Sequence, residues 1–192
     1  MAYDANPLQR LKLAQWASAA AAGEALVLDA ETCAVFFTLY GDALERYARG
    51  LVRNRSDAQD IVQSAIERIL ERYWGKEVKK TLFFTIVHHG AMDLLRARMR
   101  GKVPTSYDDL KAEVPSAELG PETIVMEQAR ESALQAEIAR LPAKQRAVVL
   151  LDSEQFSDED IRRVIKVLRL GTVRNLRVKA HKELRNRMKY WR

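Results

Sequence analysis

The sequence of 192 residues is poor in residues that interrupt helices, with 8 glycines and 5 prolines. That scarcity argues against a chain built of short strands and tight turns, and the abundance of Ala, Leu, Arg and Glu favours helices. A single cysteine, Cys33, excludes an intramolecular disulfide and fits a reducing, cytoplasmic setting. It precedes an apolar run, which suits a buried structural thiol. No stretch approaches the roughly 20 apolar residues of a membrane span. The alanine run from Ala17 to Ala22, broken by Ser18, lacks the basic start and apolar core of a secretory signal. There is no glycine-rich phosphate loop, no Cys/His cluster, and no Ser-His-Asp or paired-carboxylate arrangement. His88 and His89 are adjacent and point in different directions on a helix, so they are poor joint metal ligands, and His181 lies far along the chain. Neither enzymatic chemistry nor a cofactor is therefore expected.

What is present is charge and helical periodicity. Hydrophobic residues make up 47% and charged residues 30%, a balance typical of a folded globular chain. The net charge of +6 suggests a polyanionic partner, either nucleic acid or an acidic membrane surface, and only its distribution can separate these from a merely basic protein. The length accommodates one ordinary domain or two small ones.

The pattern along the chain predicts an all-α protein of two small helical domains. Residues 1–30 form an extension carrying Leu8, Leu11, Leu13 and Trp16, either a helix docked on the first domain or a frayed tail. Residues 31–102 read as several helices. Phe36, Leu39, Tyr40, Leu44, Tyr47, Ala48 and Leu51 form one apolar stripe, and Ile61, Val62, Ala65, Ile66, Ile69 and Leu70 form a second. Ser56 or Asp57 is a candidate cap between them. A third helix spans about Thr81 to Arg100 and stops at Gly101. Residues 103–122 hold Pro104, Pro115 and Pro121, with five acids against Lys111, and read as a linker. Residues 123–192 are helical again. Pro142 suits a first turn, Ser157 caps a short acidic-fronted helix, and Gly171-Thr172 marks a turn and a new cap before a last helix with Val173, Leu176, Ala180, Leu184 and Met188 inward.

That last unit carries the clearest functional signal. Two short helices joined by a tight turn, the second strongly basic, form the layout of a helix-turn-helix. From Arg162 to Arg192 there are twelve Lys/Arg residues against Glu183, a charge of +11. Such charge displaces counterions from duplex DNA, and Arg, Lys and Asn side chains can reach base edges in the major groove. The outer face near the helix start carries Arg174, Asn175, Arg177, Val178 and Lys179. A second feature is the end of the first domain, where Lys76, Lys79, Lys80, Arg96, Arg98, Arg100 and Lys102 interleave with Tyr73, Trp74, Phe83 and Phe84. Basic groups among rings suit single-stranded nucleic acid, although each ring taken alone suits a core better. The third is the helix from Asp57 to Glu67, whose acidic and amide face could receive a partner protein or simply be solvated.

Four segments in register resemble the extracytoplasmic-function (ECF, group IV) sigma factors of the sigma-70 family. Phe37-Thr38-Leu39-Tyr40 and Asp57-Ala58-Gln59-Asp60-Ile61-Val62-Gln63 are similar to the family's second region, Thr81 through Arg96 to its promoter-melting segment, Leu141-Pro142-Ala143-Lys144-Gln145-Arg146-Ala147-Val148 to the opening of its fourth region, and Phe156-Ser157 with Gly171-Thr172-Val173-Arg174 to its helix-turn-helix. At Lys166 the family commonly has a turn glycine. The resemblance implies a factor that binds bacterial core RNA polymerase and directs it to −35 and −10 promoter elements. It places Asp57, Asp60, Ile61, Gln63, Ser64 and Glu67 on the β′ clamp helices and the fourth region on the β flap. It assigns Lys76, Lys79, Lys80, His88, His89, Asp93, Arg96 and Arg100 to the −10 element and its melting. It assigns Thr172, Arg174, Asn175, Arg177, Lys179 and Lys182 to the −35 element. It also implies that the linker threads toward the polymerase cleft and that an anti-sigma factor is a possible partner. The competing readings are a DNA-binding regulator that never touches polymerase, which would not need the acidic-amide helix, and an adaptor of two helical bundles that binds DNA without sequence preference.

Overall fold

A computed structural model of the chain describes residues 7–102 and 132–191. The linker expected at 103–122 lies outside the described residues. The order is α1 (Pro7–Ala22), β1 (Leu26–Val27), α2 (Ala30–Val52), α3 (Arg55–Tyr73), β2 (Glu77–Val78) and α4 (Lys80–Met99), then α5 (132–139), α6 (Ala143–Ser153), α7 (Asp158–Val164) and α8 (Leu170–Arg187), closed by a 3₁₀ turn at Met188–Trp191. The architecture is all-α, as expected, apart from one small two-stranded pairing. Among the described residues no helix is long and apolar enough to cross a membrane, and no cluster of His, Cys, Asp or Glu is arranged to hold a metal ion.

Side-chain caps set several helix starts by satisfying amides that have no partner within the helix. Asp29 accepts from the Thr32 amide at 2.7 Å ahead of α2. Asn54, rather than Ser56 or Asp57, caps α3 and accepts from the Asp57 amide at 2.9 Å. Ser157 caps α7 as expected. Thr172 is not a cap: α8 begins two residues earlier, and the Thr172 amide already donates to the Arg169 carbonyl at 3.0 Å. Between α7 and α8 the chain turns at Lys166, which sits in the left-handed region at φ 50°. Lysine thus occupies a conformation that favours glycine.

In the first half, Phe36, Leu44, Tyr47, Leu51, Ile69, Phe83 and Phe84 are almost fully buried between α2, α3 and α4. Phe83 stacks on Phe36 with centroids 3.6 Å apart. The extension is a docked helix: Trp16 of α1 is buried edge-on against Phe36 at 5.3 Å. After α1, the chain pairs β1 antiparallel with β2, Leu26 opposite Val78. Leu28 then exchanges backbone hydrogen bonds with Lys76 (2.9 Å) and Gly75 (2.8 Å), so the extension braces the loop that leads into α4.

The second half packs Val148 and Leu151 of α6, Ile161 and Val164 of α7 and Val173 of α8 together. Ile138 and Leu141 close against Ala180 and Leu184. The two halves do not have separate cores. One continuous apolar cluster runs from Trp16 to Val173. At the seam Phe156 packs edge-on to Phe84 at 4.8 Å. The buried Arg146 guanidinium of α6 donates to the carbonyls of Gly50 (3.1 Å) and Leu51 (2.8 Å) at the end of α2. Those carbonyls belong to the negative end of the helix dipole, where a cation is favoured. A Cβ on Gly50 would come within 2.6 Å of Leu150, so glycine permits the close approach.

Candidate nucleic-acid and partner interfaces

The α3 face is formed by residues three and four apart, which share one side of a helix. Asp60, Gln63, Ser64 and Glu67 are exposed on it, and Ile61 is half-buried. The Gln63 amide donates to Glu67 at 3.1 Å, which orients both groups outward as a pair. Asp57 has a different task. It accepts from Arg98 of α4 at 2.6 Å, and the Arg98 side chain is nearly buried, so this ion pair ties α3 to α4. The structure thus exposes four of the six residues assigned to polymerase, half-buries Ile61 and makes Asp57 largely a brace.

Beside this face, α3 and α4 form an open groove of about 350 Å³, lined by Asp60, Ile61, Ser64 and Arg68 on one wall and His89 and Asp93 on the other. The sequence assigned its two walls to different partners, and the fold makes them neighbours. Arg68 was missed, because its place in the groove depends on which side of α3 meets α4. Burial, and then the nearby Lys166, lower the pKa of His89 below the usual histidine range, which favours its neutral form.

Of the residues assigned to the −10 element, Lys76, Lys79, Asp93, Arg96 and Arg100 are exposed and His89 is half-buried. Two are not available in this arrangement. His88 is 4% exposed, and its Nδ1 shares a hydrogen bond with the Tyr47 hydroxyl at 2.8 Å. Burial, followed by the charges of His89, Arg96, Lys144 and Lys166, lowers its pKa to about 4, so it is a neutral core group. Lys80 lies at the seam. Its Nζ sits 4.8 Å from the Tyr40 ring centroid and 4.4 Å from that of Phe156, and donates to the Glu154 carbonyl at 3.2 Å. A cation over ring faces is electrostatically favoured, so Lys80 holds the halves together. Phe83 and Phe84 are core, and among the rings only Trp74 is well exposed, beside Lys76.

The basic helix α8 has a sharply defined phase. Val173, Ala180 and Leu184 are buried. At 100° per residue, the opposite ridge is Gly171, Asn175, Val178 and Lys182, spaced by four, three and four. All four are exposed. Arg174 and Arg177 lie on the flank toward α6 and α7. Arg174 Nε pairs with Asp158 at 3.1 Å. Arg177 pairs with Asp158 at 2.7 Å and Asp152 at 2.9 Å. The hydrogen bonds from Arg174 and then Arg177 lower the Asp158 pKa below the usual carboxylate range. Thr172 and Lys179 are exposed on the other flank. The six residues assigned to the −35 element are therefore of three kinds: Asn175 and Lys182 outermost, Thr172 and Lys179 beside them, Arg174 and Arg177 bound to acids of the same chain. Gly171 was missed as a surface residue, and the spacing of the buried residues, taken as the phase reference, would have found it.

The Sigma-70 region 2 profile matches residues 36–101, the segment holding α2 to α4. The chain is 32% identical over 152 residues to the RNA polymerase sigma-E factor of Streptomyces avermitilis, covering 77% of this chain and 79% of that one. It is also 32% identical over 158 residues to the ECF RNA polymerase sigma factor SigE of Mycolicibacterium smegmatis, covering 77% of this chain and 58% of that one, so it spans little more than half of that relative's length. Among solved structures, the sigma factor RpoE in complex with the anti-sigma factor NepR from Bartonella quintana shares the fold, with a TM-score of 0.60 at 21% identity over 80% of this chain and 94% of that one.

Proposed function

Because the chain belongs to the ECF sigma factors of the sigma-70 family, we propose that it binds bacterial core RNA polymerase in the cytoplasm and directs initiation at promoters with defined −35 and −10 elements. The observation that carries this reading is the pairing of two chemically opposite surfaces on one small chain. The acidic-amide face of α3 suits the β′ clamp helices, and the outward ridge of α8 suits the major groove. A regulator working without polymerase has no use for the first. Lys76, Lys79, His89, Asp93, Arg96 and Arg100, with Trp74, border the site for the opened −10 strand, where a ring can stack on an unpaired base. The polymerase performs the chemistry, and this chain supplies the address and stabilises the open strand. We assign residues 31–102 to the −10 element and residues 123–192 to the −35 element, with the acidic linker between them. The apolar seam between the halves is also where an anti-sigma factor would act, by holding them in one arrangement.

Reconstitution tests this directly. The full chain, mixed with bacterial core polymerase, is expected to co-elute from a sizing column and to give discrete run-off transcripts from genomic fragments. Specific DNA binding without co-elution would replace the proposal with a polymerase-independent regulator.

A further inference from the structure

We infer that the amino-terminal extension is a working part of the −10 site: through Leu28 it fixes the loop Trp74-Gly75-Lys76 and so sets the Trp74 ring for an unpaired base of the opened strand, which makes Leu28 a positioning residue. This rests on the −10 reading above and gives the extension a role which that reading leaves out. The extension has little slack. Gly23, at φ 73°, ends α1, and the Glu24 amide donates to the Ala19 carbonyl at 2.8 Å, the closing bond of a helix end with glycine in the left-handed region. Only Glu24 and Ala25 separate that glycine from β1, and Asp29 already caps α2. Side chains alternate across the paired strands. Leu28 and Val78 are buried, while Val27 and Glu77 are exposed. Trp16 secures the other end of the extension against Phe36.

Both backbone groups of Leu28 are used on the loop. Its amide donates to the Lys76 carbonyl at 2.9 Å, and its carbonyl accepts from the Gly75 amide at 2.8 Å. Two residues thus face one, with glycine first at φ 71°, a bulge that bends the strand and re-aims the side chains beside it. A Cβ on Gly75 would meet nothing within 4 Å, so glycine serves there for its backbone conformation alone. The side chains on either side are Trp74 and Lys76. The Lys76 ammonium is drawn back onto the end of α3, donating to the Arg72 carbonyl at 2.7 Å and lying 5.8 Å from the Tyr73 ring centroid. The Trp74 ring is left 55% exposed, with Arg72, Lys76 and Lys79 exposed along the same stretch. A ring in basic surroundings can stack on a base of any identity while the cations meet its phosphates.

The test uses the full chain bound to bacterial core polymerase and a promoter fragment identified by run-off transcription, its −10 segment held open by mismatches. An abasic site is placed in turn at each unpaired position of the nontemplate strand. Intact and abasic probes are compared on one preparation, so the folded fraction cancels. In the wild type one position should lose about fivefold or more in affinity, the value of one stacked base. Trp74→Ala should erase that loss and leave the other positions unchanged. Leu28→Pro, which removes the amide that holds Lys76, should erase it too although the Trp74 ring is intact. Should Leu28→Pro not fold, Gly75→Val releases the bulge from the loop side: a β-branched residue resists φ 71°, and the open space around it leaves the rest of the fold untouched. Val27 and Glu77 face each other across the strands. Oxidising Val27→Cys/Glu77→Cys, made together with Leu28→Pro and Cys33→Ser, should therefore restore the loss, and reduction should abolish it again. Survival of the loss in Leu28→Pro and Gly75→Val, or in Trp74→Ala, would overturn the inference and leave the extension a brace only. With transcripts still produced by the wild type, those results leave the sigma function standing. A wild type that binds the opened probe no better than the closed duplex would instead remove the −10 reading itself, and the inference with it.

Discussion

Two faces of the second half are both basic in sequence and behave oppositely in the fold. On the face against the first half, the charges are used internally: Arg146 lies on the carbonyls of Gly50 and Leu51, while Lys80, from the other side, lies between Tyr40 and Phe156. On the face pointing away, Lys182 and Asn175 have no partner among the described residues. Two glycines mark the same contrast. Leu150 fills the space beside Gly50, whereas the space beside Gly171 is open. A charge count along the chain therefore overstates what DNA meets, because Arg162, Arg163, Arg174, Arg177 and Arg187 are each paired with acids of this chain. Position relative to the buried stripe decides which charges act outward.

If the inner face is structural, its variants should move stability and its loss should be large. Arg146→Ala is expected to lower the unfolding free energy by about 3 kcal/mol, since buried carbonyls lose a charged donor. Denaturant unfolding of the full chain measures this, and a loss below about 1 kcal/mol would show that the seam is solvated. His88 gives the inner face a pH signature. Its pKa is lowered from an ordinary 6.5 to about 4 in the fold, so the unfolded chain binds the extra proton between those values. Its contribution is complete above pH 6.5 and is lost as the pH falls toward 4, by up to about 3 kcal/mol. Melting curves across that range should show the drop, and the paired variant Tyr47→Phe/His88→Leu should flatten it. An equal drop in the paired variant would assign it to other groups.

Variants of the outer face should move DNA affinity and leave melting almost unchanged. Asp158→Asn, which releases Arg174 while Arg177 stays on Asp152, should steepen the salt dependence of duplex binding by about one phosphate contact. Lys182→Ala should reduce that slope by about one. A shift in melting temperature with no shift in slope would move either residue to the structural class.

The helices carrying these faces were legible because their apolar stripes are long and regular: α4 falls within about one residue of the reading from periodicity, whereas α2 begins at Ala30, ahead of the first stripe residue Phe36, and α8 begins at Leu170, ahead of the expected cap at Thr172. The acidic start of α7 and its Ser157 cap were local signals and were equally clear. Asn54 was overlooked as a cap because Ser56 and Asp57, equally good cap residues, followed at once. β1 and β2, at two residues each, leave no pattern to detect. The destinations of Arg146, Lys80 and His88 depend on how the halves meet. An Arg on an amphipathic helix, a Lys at a helix start and a His beside another His look the same in sequence whether they face water or a neighbouring helix. The ion pairs of the two assigned arginines of α8 were hidden for a similar reason, since Asp152 and Asp158 reach them only through the fold.

The most direct measurement separates the two exposed surfaces in one assay: core-polymerase binding and run-off transcription for the wild type, for Asp60→Arg/Glu67→Arg on α3, and for Asn175→Ala/Val178→Ala on α8. The account predicts that the α3 variant loses co-elution with core and all transcripts while keeping duplex binding. It predicts that the α8 variant keeps co-elution and loses promoter selection. Wild-type levels of promoter-selective transcripts from the α3 variant, or loss of core binding in the α8 variant with α3 intact, would contradict it.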